Sequence, residues 1–157
     1  MAGAGWLMGF YTSYRNVFDA VKAALVYVPA VGETPAQGVA SIKTVVLGEQ
    51  FSLGALPKAI INAEPSPVKP LEMGSLLDVR VNFSVVLVIL EYEPKDWFTD
   101  IISVMGDVVD AVLADRTLGG VAKDVFPVGF APGEITFKDK LFFGGRVLFQ
   151  AEVWHEP

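Results

Sequence analysis

The stretch Glu93–Gly120, EPKDWFTDIISVMGDVVDAVLADRTLGG, decides the fold. Trp97, Ile101, Ile102, Met105, Val108, Val109, Val112 and Leu113 recur three and four residues apart, which lays one broad apolar stripe along a helix. Asp100, Ser103, Asp107 and Asp110 fall on the other side. Pro94 fits a first helical position, Glu93 a cap, and Asp96 the acid-favouring first turn. Gly119 and Gly120 free the chain to take positive φ where the helix stops. A stripe this wide calls for a sheet to cover it.

The run that enters this helix supplies such a sheet. In Leu76–Tyr92, LLDVRVNFSVVLVILEY, the odd positions Leu77, Val79, Val81, Phe83, Val85, Leu87 and Ile89 are all apolar. The even positions begin polar, with Asp78, Arg80, Asn82 and Ser84, and turn apolar at Val86, Val88 and Leu90. Period-two alternation makes this a strand whose first half has one wet face and whose second half is covered on both. Its length exceeds the roughly 3–10 residues usual for a strand. Either it bends within a meander, or its first half projects as an arm that pairs elsewhere. The arm reading makes Arg80, Val81, Asn82 and Phe83 contact residues. Val86, Val88 and Leu90 read as helix-covered core or as a seam between subunits.

Outward from these two elements the rest falls into place. Residues 1–10 are small and apolar without a period and read as an arm that is either flexible or ordered only against a neighbour. Ser13 fits an N-cap for a first helix, whose stripe is Tyr14, Val17, Phe18, Val21, Ala24, Leu25 and Val28 and which Pro29 ends. Residues 29–41 read as a loop, 43–49 and 59–63 as short strands joined by a turn-containing link, and 64–74, with three prolines, as an exposed loop. Beyond the second helix, Asp124–Phe130 is a strand in which Pro127 marks an edge or a bulge. Residues 131–134 read as a turn, Ile135–Phe137 as a short return strand, and Leu141–Trp154 as the closing strand, with Gly144-Gly145 a bulge or a close backbone approach. The expected fold is therefore a single α+β domain over residues 1–157, in the order α-β-β-β-α-β-β. A mainly antiparallel sheet would carry both long helices on one face.

Composition bounds the function. Apolar residues make up 52% of the 157 and charged ones 19%, with a mean hydropathy of +0.46. That exceeds what a lone domain of this size needs to hide, so part of the surface is expected to be covered by copies or partners. A membrane span is the alternative, but runs such as Val85–Leu90 fall far short of the ~20 apolar residues a spanning helix needs. The amino terminus has no charged region ahead of its apolar residues, which argues against a secretory signal. With 12 Lys plus Arg against 18 Asp plus Glu, the net charge is −6 and no basic block exists to grip phosphates.

Reactive groups are few. The chain has no Cys, which removes disulfides and thiolate chemistry together. Its single histidine, His155, lies two residues from the carboxyl terminus, where fraying is expected. Asp100, Asp107 and Asp110 read as a solvated or subunit-facing helix face rather than as ligands of a hard cation. No glycine cluster has phosphate-binding spacing, and Trp6 and Trp154 read as buried anchors. No catalytic, cofactor-binding or metal-ligating residue is assigned.

The run Asp110–Phe130, DAVLADRTLGGVAKDVFPVGF, resembles the tail terminator, or tail-completion, proteins of long-tailed bacteriophages. There a helix ends in an acidic residue, a spacer and Leu-Gly-Gly before a strand; the matching residues are Asp115, then Leu118, Gly119 and Gly120. The closing LFFGGRVLFQAEVW and the upstream VVLGEQFSLGALPKAIINAE are similar to that family's last strand and first meander, so the likeness in element order runs from Ser13 onward. The amino terminus and the 64–74 loop depart from its simplest members. The resemblance implies a structural virion protein without enzymatic activity or cofactor, assembled in the host cytoplasm and resident at the tail neck. It would form a homo-oligomeric, hexameric ring that ends tail-tube polymerisation and joins the tail to the head connector. Its partners would be the tail tube protein and a neck protein, with DNA passing through the lumen unbound and no membrane involved. The alternative is another neck or head-completion adaptor, or a tail-tube subunit.

Overall fold

The computed structural model describes residues 9–48, 55–71, 76–90, 97–137 and 139–156. Among these residues eight elements follow one another: α1 (Phe10–Leu25), β1 (Thr44–Leu47), β2 (Lys58–Ala63), β3 (Val68–Pro70), β4 (Leu77–Leu90), α2 (Trp97–Leu113), β5 (Asp124–Phe137) and β6 (Lys140–His155). The six strands make one sheet in the order β1-β2-β4-β6-β5, with β3 pairing β4 beside the β2 segment.

Two features correct the expected mainly antiparallel order α-β-β-β-α-β-β. β1 and β2 run parallel, Thr44 opposite Lys58 and Leu47 opposite Ile61, so the sheet is mixed. The link between them returns to the starting end of β1 before β2 begins. The Lys43 N–H donates to the Pro57 carbonyl at 2.8 Å, which fixes that return. A hairpin would instead have set the last residue of β1 against the first of β2. The second correction lies in the proline-rich segment, where Val68–Pro70 forms an added antiparallel strand opposite Leu77–Val79. All three of its residues are exposed, so Pro70 stands at an edge where its missing N–H leaves no ladder gap. The expected loop therefore holds a strand; its residues 72–74 lie outside the described set.

β4 is central. It pairs β2 and β3 on one side and β6 along nearly its whole length on the other, from Leu77↔His155 to Leu90↔Phe143. Its first half is thus enclosed by strands of its own chain and does not project. Val79, Val81, Phe83, Val85, Leu87 and Ile89 join Val147, Phe149, Ala151 and Val153 of β6 in the main core. Onto that core pack Val17, Phe18, Val21 and Leu25 of α1 and Ile101, Met105, Val108 and Val112 of α2. These helical residues sit three and four apart, which keeps them on one stripe.

On the far face the upper part is apolar as well: Ile60, Val88 and Phe142 are buried in a second cluster, with Leu56, Val86 and Ile135 packed against it. β5 forms one edge of the sheet and continues unbroken through residues 131–134, where a turn was expected. Its register shifts between Pro127 and Gly129, leaving Val128 as the extra residue of a bulge.

α1 begins at Phe10 with Gly9 as its cap, four residues before the expected cap Ser13, and ends at Leu25. Ser13 is buried inside the helix because its hydroxyl meets His155 Nδ1 at 2.9 Å instead of capping its own backbone.

Candidate functional site

The contact residues expected on β4 separate by face. Val81 and Phe83 have no exposure and belong to the main core, which removes them from any surface. Val88 is buried in the second cluster and Val86 is half-buried beside it. Leu90 pairs Phe143, and its side chain lies outside the described set.

Arg80 and Asn82 do reach the far face, where neighbouring strands hold them. Arg80 forms ion pairs with Asp78 at 3.2 Å and Glu152 at 3.5 Å. Asn82 Oδ1 accepts from Gln150 Nε2 at 2.9 Å, and Asn82 Nδ2 donates to the Pro65 carbonyl at 2.9 Å. Next to them Glu64 accepts from Ser84 Oγ at 3.0 Å and from Arg146 at 3.3 Å. These groups satisfy one another across β4, β6 and the 64–66 segment, so the lower far face is a braced polar surface. Trp154, expected as a buried anchor, is exposed there, with the Lys123 ammonium 4.8 Å above its ring.

The Asp115–Gly120 motif folds as a self-contained turn that carries the chain from α2 to β5. Asp115 Oδ1 accepts from the Thr117 hydroxyl at 2.7 Å and the Thr117 N–H at 3.0 Å, and Oδ2 accepts from the Gly119 N–H at 2.9 Å. Leu118, Gly119 and Gly120 all take positive φ, of 50°, 70° and 94°. Such a run favours glycine at the two exposed positions. Leu118 bears the strain because its side chain is driven into the core. Arg116 then grips Asp124 with two bonds, at 2.7 and 2.8 Å, and so fixes the start of β5.

The Thr117 hydroxyl, then the Gly119 and Thr117 N–H groups, hold the Asp115 carboxyl below its ordinary range. Hydrogen bonding from Arg116 does the same for Asp124. A carboxylate depressed in the folded state stabilises above its unfolded value, about pH 3.9, and the contribution is lost as pH falls through the folded value. Asp115→Asn is accordingly expected to melt below the wild-type temperature near neutral pH. The gap should narrow as the pH is lowered from about 4 toward 2, where the wild-type carboxylate also takes up its proton. Thermal scans of both proteins across that range check this; a constant gap would mean the carboxylate charge is not what the turn uses.

His155, expected at a frayed end, is instead a buried member of β6 opposite Leu77, with the Phe10 ring edge-on to it at 5.4 Å. Its Ser13 bond spans 142 residues of sequence, so no local pattern announces it. With both partners buried, the pair clamps α1 to the last strand.

Between the helices lies an open groove of about 970 Å³, walled by alanines such as Ala20, Ala24 and Ala111, with Asp107, Asp110 and Asp115 on its α2 side. Among the described residues no group of three or more His, Asp or Glu is placed to share a metal ion. On the other side of α2 a second hollow, of about 470 Å³, is bounded by Gly106, Val109 and Asp110 and by Pro127–Phe130 of β5. Val128 and Phe130 stand exposed at its mouth. The sequence signal for this hollow is Pro127 with Gly129, which forces the bulge.

Among the described residues no helix is long and apolar enough to cross a membrane. No family model matches this chain, and neither does any curated protein.

Proposed function

We propose that this chain is a structural virion protein, a ring-forming subunit that ends tail-tube polymerisation and joins the tail to the head connector. The observation that carries this reading is the apolar surface left uncovered. Among the described residues twelve large hydrophobic side chains stand exposed. They include the run Val26, Tyr27, Val28 and Val31 after α1, and the pair Val128 and Phe130 on the β5 edge. Exposed apolar groups gathered in this way mark surfaces that other chains cover. The polar groups add support from the other side: Arg80, Asn82, Glu64, Arg146, Asp115 and Arg116 are engaged in bracing strands and turns. The Asp115–Gly120 turn, which carries the resemblance to tail terminators, delivers the chain onto the bulged edge strand. An acidic chain also suits a lumen through which DNA slides, because each basic contact would add affinity for phosphate.

Electron microscopy of particles assembled without this protein tests the reading. Tails of excessive length, unattached to heads, are the expected result. Tails of normal length would overturn termination and move the protein to the head side of the neck.

A further inference from the structure

α2 and β5 together form one flank of the molecule, and neither contains a lysine or arginine. Asp110 stands exposed on α2 and Glu134 on β5, whereas Asp107 lines the groove toward α1. Among the described residues no ion pair engages Asp110 or Glu134. Asp110 borders the apolar hollow whose mouth carries Val128 and Phe130. β5 closes this end of the sheet, so among the described residues no strand lies beyond it.

The opposite end has the reverse character. α1 packs over β1 and beside α2. Ala20 and Ala24 of α1 line the groove toward α2, and Lys22, about 200° round the helix from Ala20, therefore faces the β1 side. Lys22 and Lys43, at the head of the edge strand, are both exposed and outside every ion pair among the described residues. Arg15, by contrast, is neutralised by Asp19 at 3.1 Å. The hairpin that follows α1, closed by Val28↔Gln37 and Val31↔Thr34, carries exposed Tyr27, Val28 and Val31. Its one acid, Glu33, sits at the tip beyond the Val31–Thr34 bridge.

We infer that the acidic α2–β5 flank, with its apolar hollow, receives the Lys22/Lys43 flank of a second copy of this chain. Each flank offers unpaired charge of one sign beside exposed apolar side chains, and the two signs are opposite. A two-fold contact would set Asp110 and Glu134 against the same acids of the other copy, which like-charge repulsion opposes. A head-to-tail contact sets them against Lys22 and Lys43. Because the flanks lie at opposite ends of one sheet, each copy keeps both halves of the contact free for its neighbours, and the assembly closes as a ring or grows as a filament. The inference rests on the ring reading and names the faces the ring would use.

Charge exchange tests it. One variant carries Asp110→Lys with Glu134→Lys; the other carries Lys22→Glu with Lys43→Glu. All four positions are exposed, so circular dichroism should match the wild type. In sedimentation velocity the wild type is expected to assemble, and each variant alone to dissociate about tenfold more readily or to remain a single chain. An equimolar mixture should assemble again, because every contact in an alternating order then joins opposite charges. Raised salt should weaken the wild-type contact. Variants that sediment as the wild type does, a mixture that fails to recover, or a wild type that stays a single chain would each overturn the inference. Assembly that ignores the charge changes removes these faces and leaves the tail-length experiment to decide the ring reading by itself.

Discussion

Phe83→Ala is expected to lower stability by about 4 kcal/mol, within the range for emptying a buried phenylalanine site. Phe83 has no exposure. Its ring stacks on Phe149 with centroids 5.2 Å apart and planes 15° from parallel, and it meets Phe18 edge-on at 6.0 Å. The site is thus the junction of β4, β6 and α1. Its walls cannot close readily on a void, since the backbone at Phe83 is held by register to Phe149 on one side and to Ala63 on the other. The loss would take a large share of the roughly 5–15 kcal/mol that holds a domain folded. Urea unfolding of the purified protein measures it as a lowered midpoint at an unchanged slope. A loss under about 1 kcal/mol would mean that the core relaxes around the missing ring, contrary to this geometry. The same placement decides what charged residues at Val81 and Phe83 would do. Both side chains face the helices, so the double variant fails to fold, and light scattering would report aggregates rather than smaller native assemblies.

That Phe83 belongs to the core was half legible in the sequence. Strict alternation along β4 fixed which residues share a face, because a strand has period two and a slip of one would exchange the faces. The stripes of α1 and α2 were readable for the same kind of reason, the spacing of three and four. Alternation does not say which face is covered by helices and which by neighbouring strands, so Val81 and Phe83 could be read as an arm. Pairing sense was equally invisible: the parallel β1–β2 contact depends on the path of the link that brings Pro57 beside Lys43, and no residue in either strand encodes that path. Pro127 was informative because a missing N–H restricts where a strand residue can stand, and it does mark the edge and its bulge. The prolines of residues 64–74 misled for the complementary reason. An edge strand tolerates them, and β3 is one. Of the candidate contact surface, the lack of cations in α2 and β5 could be read off directly. Their adjacency, and the hollow between them, required the fold.

Gly144→Ala is expected to cost about 3 kcal/mol, the upper end for forcing atoms into filled space. A Cβ at this position would collide with the Leu87 carbonyl oxygen of the neighbouring central strand. Both sides of that collision are backbone, bound into the Val88↔Gly144 and Leu87↔Gly145 pairings, so neither can turn aside as a side chain would. The β4 register shifts just beyond, between Val88 and Leu90, which places the close approach at the point where the two strands change step. Gly129 supplies the control. There an added Cβ meets first the Leu148 Cδ1 atom at 2.9 Å, the mobile end of a side chain, so Gly129→Ala should cost less than about 1 kcal/mol. Gly145 tests the consequence for the proposed contact face. Its Cβ would press on the Met105 sulfur of α2 and on the Ala131 carbonyl of β5 at once. Gly145→Ala should therefore shift α2 relative to the edge strand and weaken assembly more than its loss of stability alone explains. Chemical unfolding of the three glycine variants, with sedimentation of those that stay folded, separates the effects. Equal losses at Gly144 and Gly129 would show that the central strands do not approach as closely as this register requires.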